Sequence, residues 1–245
     1  MKIALISGAS SGIGKSIAIQ LDHYCLDEIW LIGRSYTRLE GLKNILYTKS
    51  RIFTLDLTDD NSYNTINEAL AERECSIEFL VSSSGVGYNG KFKSITFKNI
   101  SDMISVNCGS LTLLTKIALP FMSTHGKIIN IASGAGFLPQ PDFAVYSATK
   151  AYVISFSRAL RSELKSKHIN VTAVCPGPVD TNFFANLKGV KEYKKKYLIS
   201  PDRVAIGSIK AVIKNKSVYT PTFSMKLVHL ASKILPTSLI LRFYK

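Results

Sequence analysis

Three residues have the types and spacing to move a proton at a carbonyl or alcohol oxygen: Ser133 in INIASGAG, and Tyr146 and Lys150 in YSATK. Tyr146 and Lys150 stand four apart on a predicted helix, so their side chains share a face. A phenol with its ordinary pKa of about 10 is a poor base at neutral pH. An ammonium within ~4–6 Å favours the phenolate and moves that value down by ~1–3 units. The pair therefore predicts a proton donor and acceptor near working pH. Ser133, just past a predicted strand, supplies a hydroxyl to hold the substrate oxygen beside the phenol. An isolated Tyr-x-x-x-Lys is most often a surface helix pair. The serine, on the same sheet edge as a glycine turn, turns it into a site.

That turn is GASSGIG, Gly8–Gly14, which follows the first predicted strand and opens the first helix. Gly8 permits the tight turn, Gly12 lets backbone approach a pyrophosphate, and Gly14 allows helix to pack on strand. The helix N-terminus offers free N–H groups and a positive dipole end to phosphates. Ser10, Ser11 and Ile13 belong to the same turn and count among the expected cofactor contacts. About 20 residues past such glycines a dinucleotide site usually carries an acidic residue for the adenosine ribose. Here the strand ends LIGRS, with Gly33 and then Arg34. An arginine in place of a carboxylate suits the 2′-phosphate of NADP, which a carboxylate would repel; the plain reading is a surface arginine at a strand end. Asp56, in LDLTD, lies past the third strand where its carboxylate can accept from an adenine amino group, with Leu57 beside it; the alternative is a helix cap.

Runs of β-forming residues alternate with helical patterns, which predicts an α/β fold with a parallel sheet. Strands are expected at 2–7, 28–33, 51–55, 77–82, 127–132, 170–175 and 217–220. Helices are expected at 13–24, 36–48, 60–74, 98–123, 144–167, 181–195 and 201–214. Seven strands with intervening helices make a single-domain, doubly wound Rossmann sheet, helices on both faces, whose ligands bind past the strand C-termini.

With these motifs in this order, the chain resembles the short-chain dehydrogenase/reductase family over about residues 1–221, leaving 222–245 as an extension. The resemblance implies hydride transfer between a nicotinamide and a carbonyl or alcohol carbon. It implies Tyr146 as general acid/base and a cofactor contact, Lys150 also holding the nicotinamide ribose, and Ser133 orienting the substrate oxygen. Asn107, in SVNCGS, matches the helix asparagine that links the lysine through water to a proton relay; otherwise it reads as a packing amide. PGPVDT, Pro176–Thr181, matches the loop over the nicotinamide carboxamide, with Pro176, Gly177, Val179 and Thr181 as expected contacts. The bland alternative there is a Pro-Gly turn with a helix cap. The substrate loop is implied around 181–214. Where the family has Asn-Asn-Ala-Gly, this chain has Ser82-Ser83-Ser84-Gly85. Ser83 and Gly85 keep the close approach to the cofactor, and the missing amides predict a local stability cost without loss of chemistry. The resemblance also implies a homodimer or homotetramer through the helix bearing Tyr146.

Composition, 46% hydrophobic and 20% charged, is that of a globular domain. The opening MKIALIS runs into the glycine turn without space for a signal peptide, and no apolar run approaches transmembrane length. Four cysteines without metal spacing predict buried free thiols and no metal site. These features predict a cytoplasmic protein. Charge is uneven: residues 186–245 hold 13 basic and 2 acidic side chains of the whole-chain 31 and 17. That asymmetry suits an anionic partner or a solvated lysine-rich surface. KEYKKKY, 191–197, is the densest part. The basic segments lack interleaved stacking aromatics, so nucleic acid is not expected.

In the tail, Leu227, Leu230, Ala231, Ile234 and Leu235 form an apolar stripe opposite Lys226, His229 and Lys233, and Leu239, Ile240 and Phe243 resume it past Pro236. Packing on the protein's own core or a partner subunit, a lid over a hydrophobic pocket, and peripheral contact with an anionic membrane all fit. The activity expected is an NADP(H)-dependent reductase or dehydrogenase for a hydrophobic ketone or secondary alcohol. A 3-oxoacyl-thioester reductase is the narrower alternative, and a cofactor-binding sensor without turnover the alternative of another class.

Overall fold

The computed structural model describes residues 1–183, 187 and 198–242. Seven strands form one sheet: β1 (Lys2–Ser7), β2 (Glu28–Gly33), β3 (Ser50–Thr54), β4 (Ser76–Ser82), β5 (Met122–Ile131), β6 (Asn170–Val174) and β7 (Val218–Tyr219). Their order is β3-β2-β1-β4-β5-β6-β7 and every pairing is parallel. The apolar runs explain this. Ile3, Ala4, Leu5 and Ile6 are all fully buried, as strands covered on both faces require.

Alternate residues feed two cores. Ile3 and Leu5 pack with Ile66 and Leu70 of α3 (Asn61–Glu72), Leu114 of α5 (Ser110–Ala118) and Leu160 of α6 (Ala144–Glu163). Ala4 and Ile6 pack with Ile17 and Leu21 of α1 (Gly12–Leu21), Leu39 of α2 (Tyr36–Lys43), and Val204 and Ile209 of α7 (Pro201–Ile213). Helices thus cover both faces, and the chain reverses its winding between β1 and β4, where such sheets open a ligand crevice at the strand C-termini.

Boundaries differ in instructive places. The helix expected over 98–123 is α4 (Phe97–Ile104), a π-helical turn Ser105–Gly109, and then α5. The stretch Phe97–Phe121 is long and apolar enough by composition to cross a membrane. It carries Lys98, Asp102 and Lys116, buries Asn107 and Thr115, and packs on α3 and α6. β5 starts at Met122 because its register against β4 slips between Ile77 and Phe79, near His125 at φ 66°. The expected helix 181–195 falls largely outside the described residues, and KEYKKKY and Phe243 wholly so. Cys75 and Cys175 are buried, but Cys25 is exposed and Cys108 half-buried, correcting the expectation that all four are buried. Among the described residues no group of His, Cys, Asp and Glu could hold a metal.

The tail forms α8 (Phe223–Ile234) and α9 (Thr237–Arg242). No residue of α8 is fully buried, and the helix is turned opposite to the core-packing reading of its stripe. Met225, Val228, His229, Ala231 and Ser232 are partly covered, while Leu227, Leu230 and Ile234 face solvent with Lys226 and Lys233.

Candidate active site

The glycine turn is as tight as its spacing predicts. Gly8 has φ +67°, and a side chain there would strike the Ser83–Ser84 backbone of the neighbouring strand end. A Cβ on Gly14 would overlap the Gly8 carbonyl oxygen. Gly12, φ +54°, faces Thr181, whose Cγ2 would stand 3.0 Å from an added Cβ. The N-terminus of α1 and the loop after β6 therefore close around one cleft, and Ser11 has no side-chain cap bond on the helix end. These are the features of a phosphate cradle, and a dinucleotide fits the residues present. Ser10, Ser11 and Ile13 lie on it as expected.

Gly33 is constrained as well: a Cβ there would lie 3.3 Å from Ser10 Cβ and Oγ. Arg34 is exposed next to it. Burial pushes the Asp56 carboxyl up, but the Thr58 N–H and hydroxyl, donating to Oδ1 at 3.0 and 2.9 Å, with the Arg34 and Lys98 charges, hold it below its ordinary value. Asp56 thus spends Oδ1 on its own turn and Oδ2 remains for a ligand. Asp59 caps the next helix by accepting from Asn61 N–H at 3.0 Å. Leu57 turns its side chain into the core, and its carbonyl accepts from Tyr63, so only its N–H remains for a cofactor. Lys98, which no motif pointed to, stands within electrostatic range of both Arg34 and Asp56.

The proton-transfer group assembles at the same sheet edge. Ser133 follows β5 and starts a 3-10 turn, its Oγ accepting from Ala135 N–H at 3.1 Å. Tyr146 and Lys150 project from the first turns of α6, both buried. Lys150 Nζ donates to the Ile131 carbonyl at 3.0 Å and lies 5.7 Å from the Tyr146 ring centre. Gly85 leaves room beside it: a Cβ there would stand 3.4 Å from both Lys150 Nζ and Asn107 Oδ1.

Asn107 sits in the π-helical turn, a local widening often found at functional sites. Its Oδ1 accepts from Val86 N–H at 2.9 Å, and its Nδ2 donates to Val86 O at 2.9 Å and Thr149 Oγ1 at 3.0 Å. Thr149 in turn donates to the Tyr146 carbonyl at 2.8 Å. Asn107 therefore ties the loop after β4 to the helix bearing Tyr146. Thr149 is a member of this network that the spacing argument passed over.

One expectation is corrected. Burial pushes the Tyr146 phenol up to about 12, against a lowering hydrogen bond from Ser133. Burial also pulls Lys150 down to about 8. Desolvation dominates at both groups, so Tyr146 is a protonated phenol at neutral pH.

Around Tyr146 the walls are apolar. Phe143 and Phe183 lie at 4.4 and 5.4 Å between ring centres, with Val86, Tyr88 and Ile95 nearby. In the loop after β6, Pro176 O accepts from Gly134 N–H at 2.8 Å and Val179 is buried. Met225 of α8 lies over Gly134 and Gly177; a Cβ on Gly177 would stand 3.4 Å from its Cγ. His229 stacks on Phe137 at 4.3 Å. The tail therefore borders the site through Met225, a residue the apolar stripe did not single out. At Ser82, the Oγ is buried without a hydrogen-bond partner, and so is Oδ1 of its register partner Asn130 on β5. This is the polar gap that the missing amides predict.

Fold and site are those of an α/β oxidoreductase, and comparison with known proteins agrees. The family model for short chain dehydrogenases matches residues 2–191. The 3-oxoacyl-(acyl-carrier-protein) reductase of Buchnera aphidicola is 33% identical over 199 residues, 79% of this chain and 80% of that protein. The NADP-dependent 3-hydroxy acid dehydrogenase of Escherichia coli is 32% identical over 217 residues, 83% and 86%. The structure of a short-chain dehydrogenase from Sphingobium yanoikuyae, in complex with NADPH, superposes with a TM-score of 0.83 at 25% identity, covering 98% of this chain and 95% of that one. The chain belongs to the short-chain dehydrogenase/reductase family, oxidoreductases acting on alcohol or ketone groups.

Proposed function

We propose that the protein is an NADP(H)-dependent reductase of a hydrophobic ketone, forming the secondary alcohol. The observation that carries this reading is a buried Tyr146 phenol, hydrogen-bonded by Ser133 and walled by Phe143 and Phe183, beside the glycine cradle. A bound nicotinamide supplies the hydride. Ser133 and Tyr146 hold the carbonyl oxygen, and Tyr146, protonated at neutral pH, gives it a proton. Lys150, fixed by the Ile131 carbonyl, presents its charge to the phenol and to the ribose hydroxyls. Asn107 and Thr149 hold this helix against the loop after β4, and the aromatic walls exclude water.

The preference for NADP(H) rests on the exposed Arg34 beside Gly33, which brings no carboxylate and where an added Cβ would press on Ser10 at 3.3 Å; Lys98 nearby is paired with Asp102 at 3.0 Å. Tyr146→Phe removes the proton donor, together with its hydrogen bonds to Ser133 and to the substrate oxygen, and keeps the ring in place. Turnover on a panel of ketones should fall by about 10²–10⁴, with NADPH binding, read by fluorescence, unchanged. NADPH binding by the wild type with no turnover on any ketone would instead favour a sensor. A 3-oxoacyl thioester is the second candidate substrate, favoured by the names of relatives such as the Buchnera reductase. A higher kcat/KM for the thioester than for a matched ketone selects it.

A further inference from the structure

The orientation of α8 raises a separate question, because its apolar residues are on the outside. Phe223, Leu227, Leu230 and Ile234 are 72%, 51%, 55% and 68% exposed and follow one another at the helical i, i+4, i+7, i+11 spacing. Lys226 and Lys233 are exposed too, along one flank of this row and not within it. Leu235 and Leu239, 43% and 41% exposed, extend the apolar surface toward α9, which ends in Arg242. The helix is held in this rotation by its other face. Met225 lies over Gly134 and Gly177, and His229 stacks on Phe137. Turning the leucines inward would break both contacts.

We infer that the outer face of α8 is a docking surface for an anionic lipid bilayer. Apolar area of this kind on a folded domain marks an interaction site. The charge decides which. After Asp202 the sequence contains no acidic residue, and eight lysines and arginines. A second copy docking face to face would set this patch against itself, bringing lysines together with no carboxylate from the segment to pair them. An anionic membrane takes both the row and its flank: acyl chains receive Phe223, Leu227, Leu230 and Ile234, and phosphates at the bilayer surface receive Lys226 and Lys233.

The test is flotation of the full chain with vesicles of phosphatidylglycerol and phosphatidylcholine, against phosphatidylcholine alone, at low and high salt. The protein should float with the anionic vesicles at low salt and be released by high salt. Each lysine near an anionic surface contributes about a fivefold factor, so Lys226→Gln with Lys233→Gln should weaken partition by about thirtyfold. Leu230→Glu with Ile234→Glu should abolish it. All four side chains point to solvent, and unchanged NADPH binding and circular dichroism verify the variants' fold. No flotation with anionic vesicles, equal flotation with both kinds, or flotation unaffected by the variants overturns the inference. So does a fall in solution mass in Leu230→Glu/Ile234→Glu with no vesicle binding by the wild type, which identifies a second copy as the occupant.

Discussion

Burial sets the protonation of Tyr146 and Lys150, and it acts on the two groups in opposite directions. Tyr146 is driven up to about 12 and Lys150 down to about 8. Below pH 8 the lysine is charged and the phenol holds its proton, the state that reduction needs. As pH rises through 8 the lysine loses its charge while the phenol stays protonated. The rate of ketone reduction should therefore be level below pH 8 and decline above it, and Lys150→Met should retain only residual activity without that break. A profile level to pH 10 in the wild type would contradict this. Arg34 carries the second prediction of this scale. A charge-assisted hydrogen bond is worth about one to two decades in affinity, so Arg34→Asp should lower the ratio of NADPH to NADH kcat/KM by at least that much. An unchanged ratio would show that the 2′-phosphate is recognised elsewhere. That Ser133, Tyr146 and Lys150 gather at one sheet edge was legible from type and spacing. Their pKa values were not, because desolvation depends on which side chains close over them.

At the scale of elements, β4 and β5 carry a polar defect at the serine run, where a stability cost was expected. Ser82 and Asn130 are register partners, so their side chains point to the same face of the sheet, and each leaves a buried polar atom unpaired. Ser82→Asn brings an amide donor toward Asn130 Oδ1. One recovered hydrogen bond, about 1 kcal/mol, should raise the melting temperature by about 2–4 °C, measured calorimetrically. The strand and helix order was readable because a parallel sheet buries both faces of its strands and the helices between them repeat at 3.6. The interruption at Ser105–Gly109 was not readable. No proline or glycine pair announces a π-helical turn, whose one reward is tertiary: it aims Asn107 at Val86 and Thr149.

For the molecule as a whole, the tail joins the catalytic segment to the surface. Removing residues 222–245 uncovers Gly134 and Gly177 and strips His229 from Phe137. Losing a partly buried methionine and one aromatic stack costs about 2 kcal/mol. The melting temperature should fall by about 4–8 °C and the KM for ketone should rise; an unchanged KM would mean that Met225 does not border the bound substrate. From the sequence alone come the doubly wound sheet, the tight glycine turn, the grouping of Ser133 with Tyr146 and Lys150, and the arginine at the strand end, because each rests on local spacing and on a periodicity that burial imposes. The tertiary structure alone decided the protonation of Tyr146, the unpaired atoms at Ser82 and Asn130, and the direction in which α8 turns its leucines. Periodicity places an apolar stripe on a helix, but the side that faces inward is chosen by the contacts of the opposite face, here Met225 and His229, with residues far away in the chain.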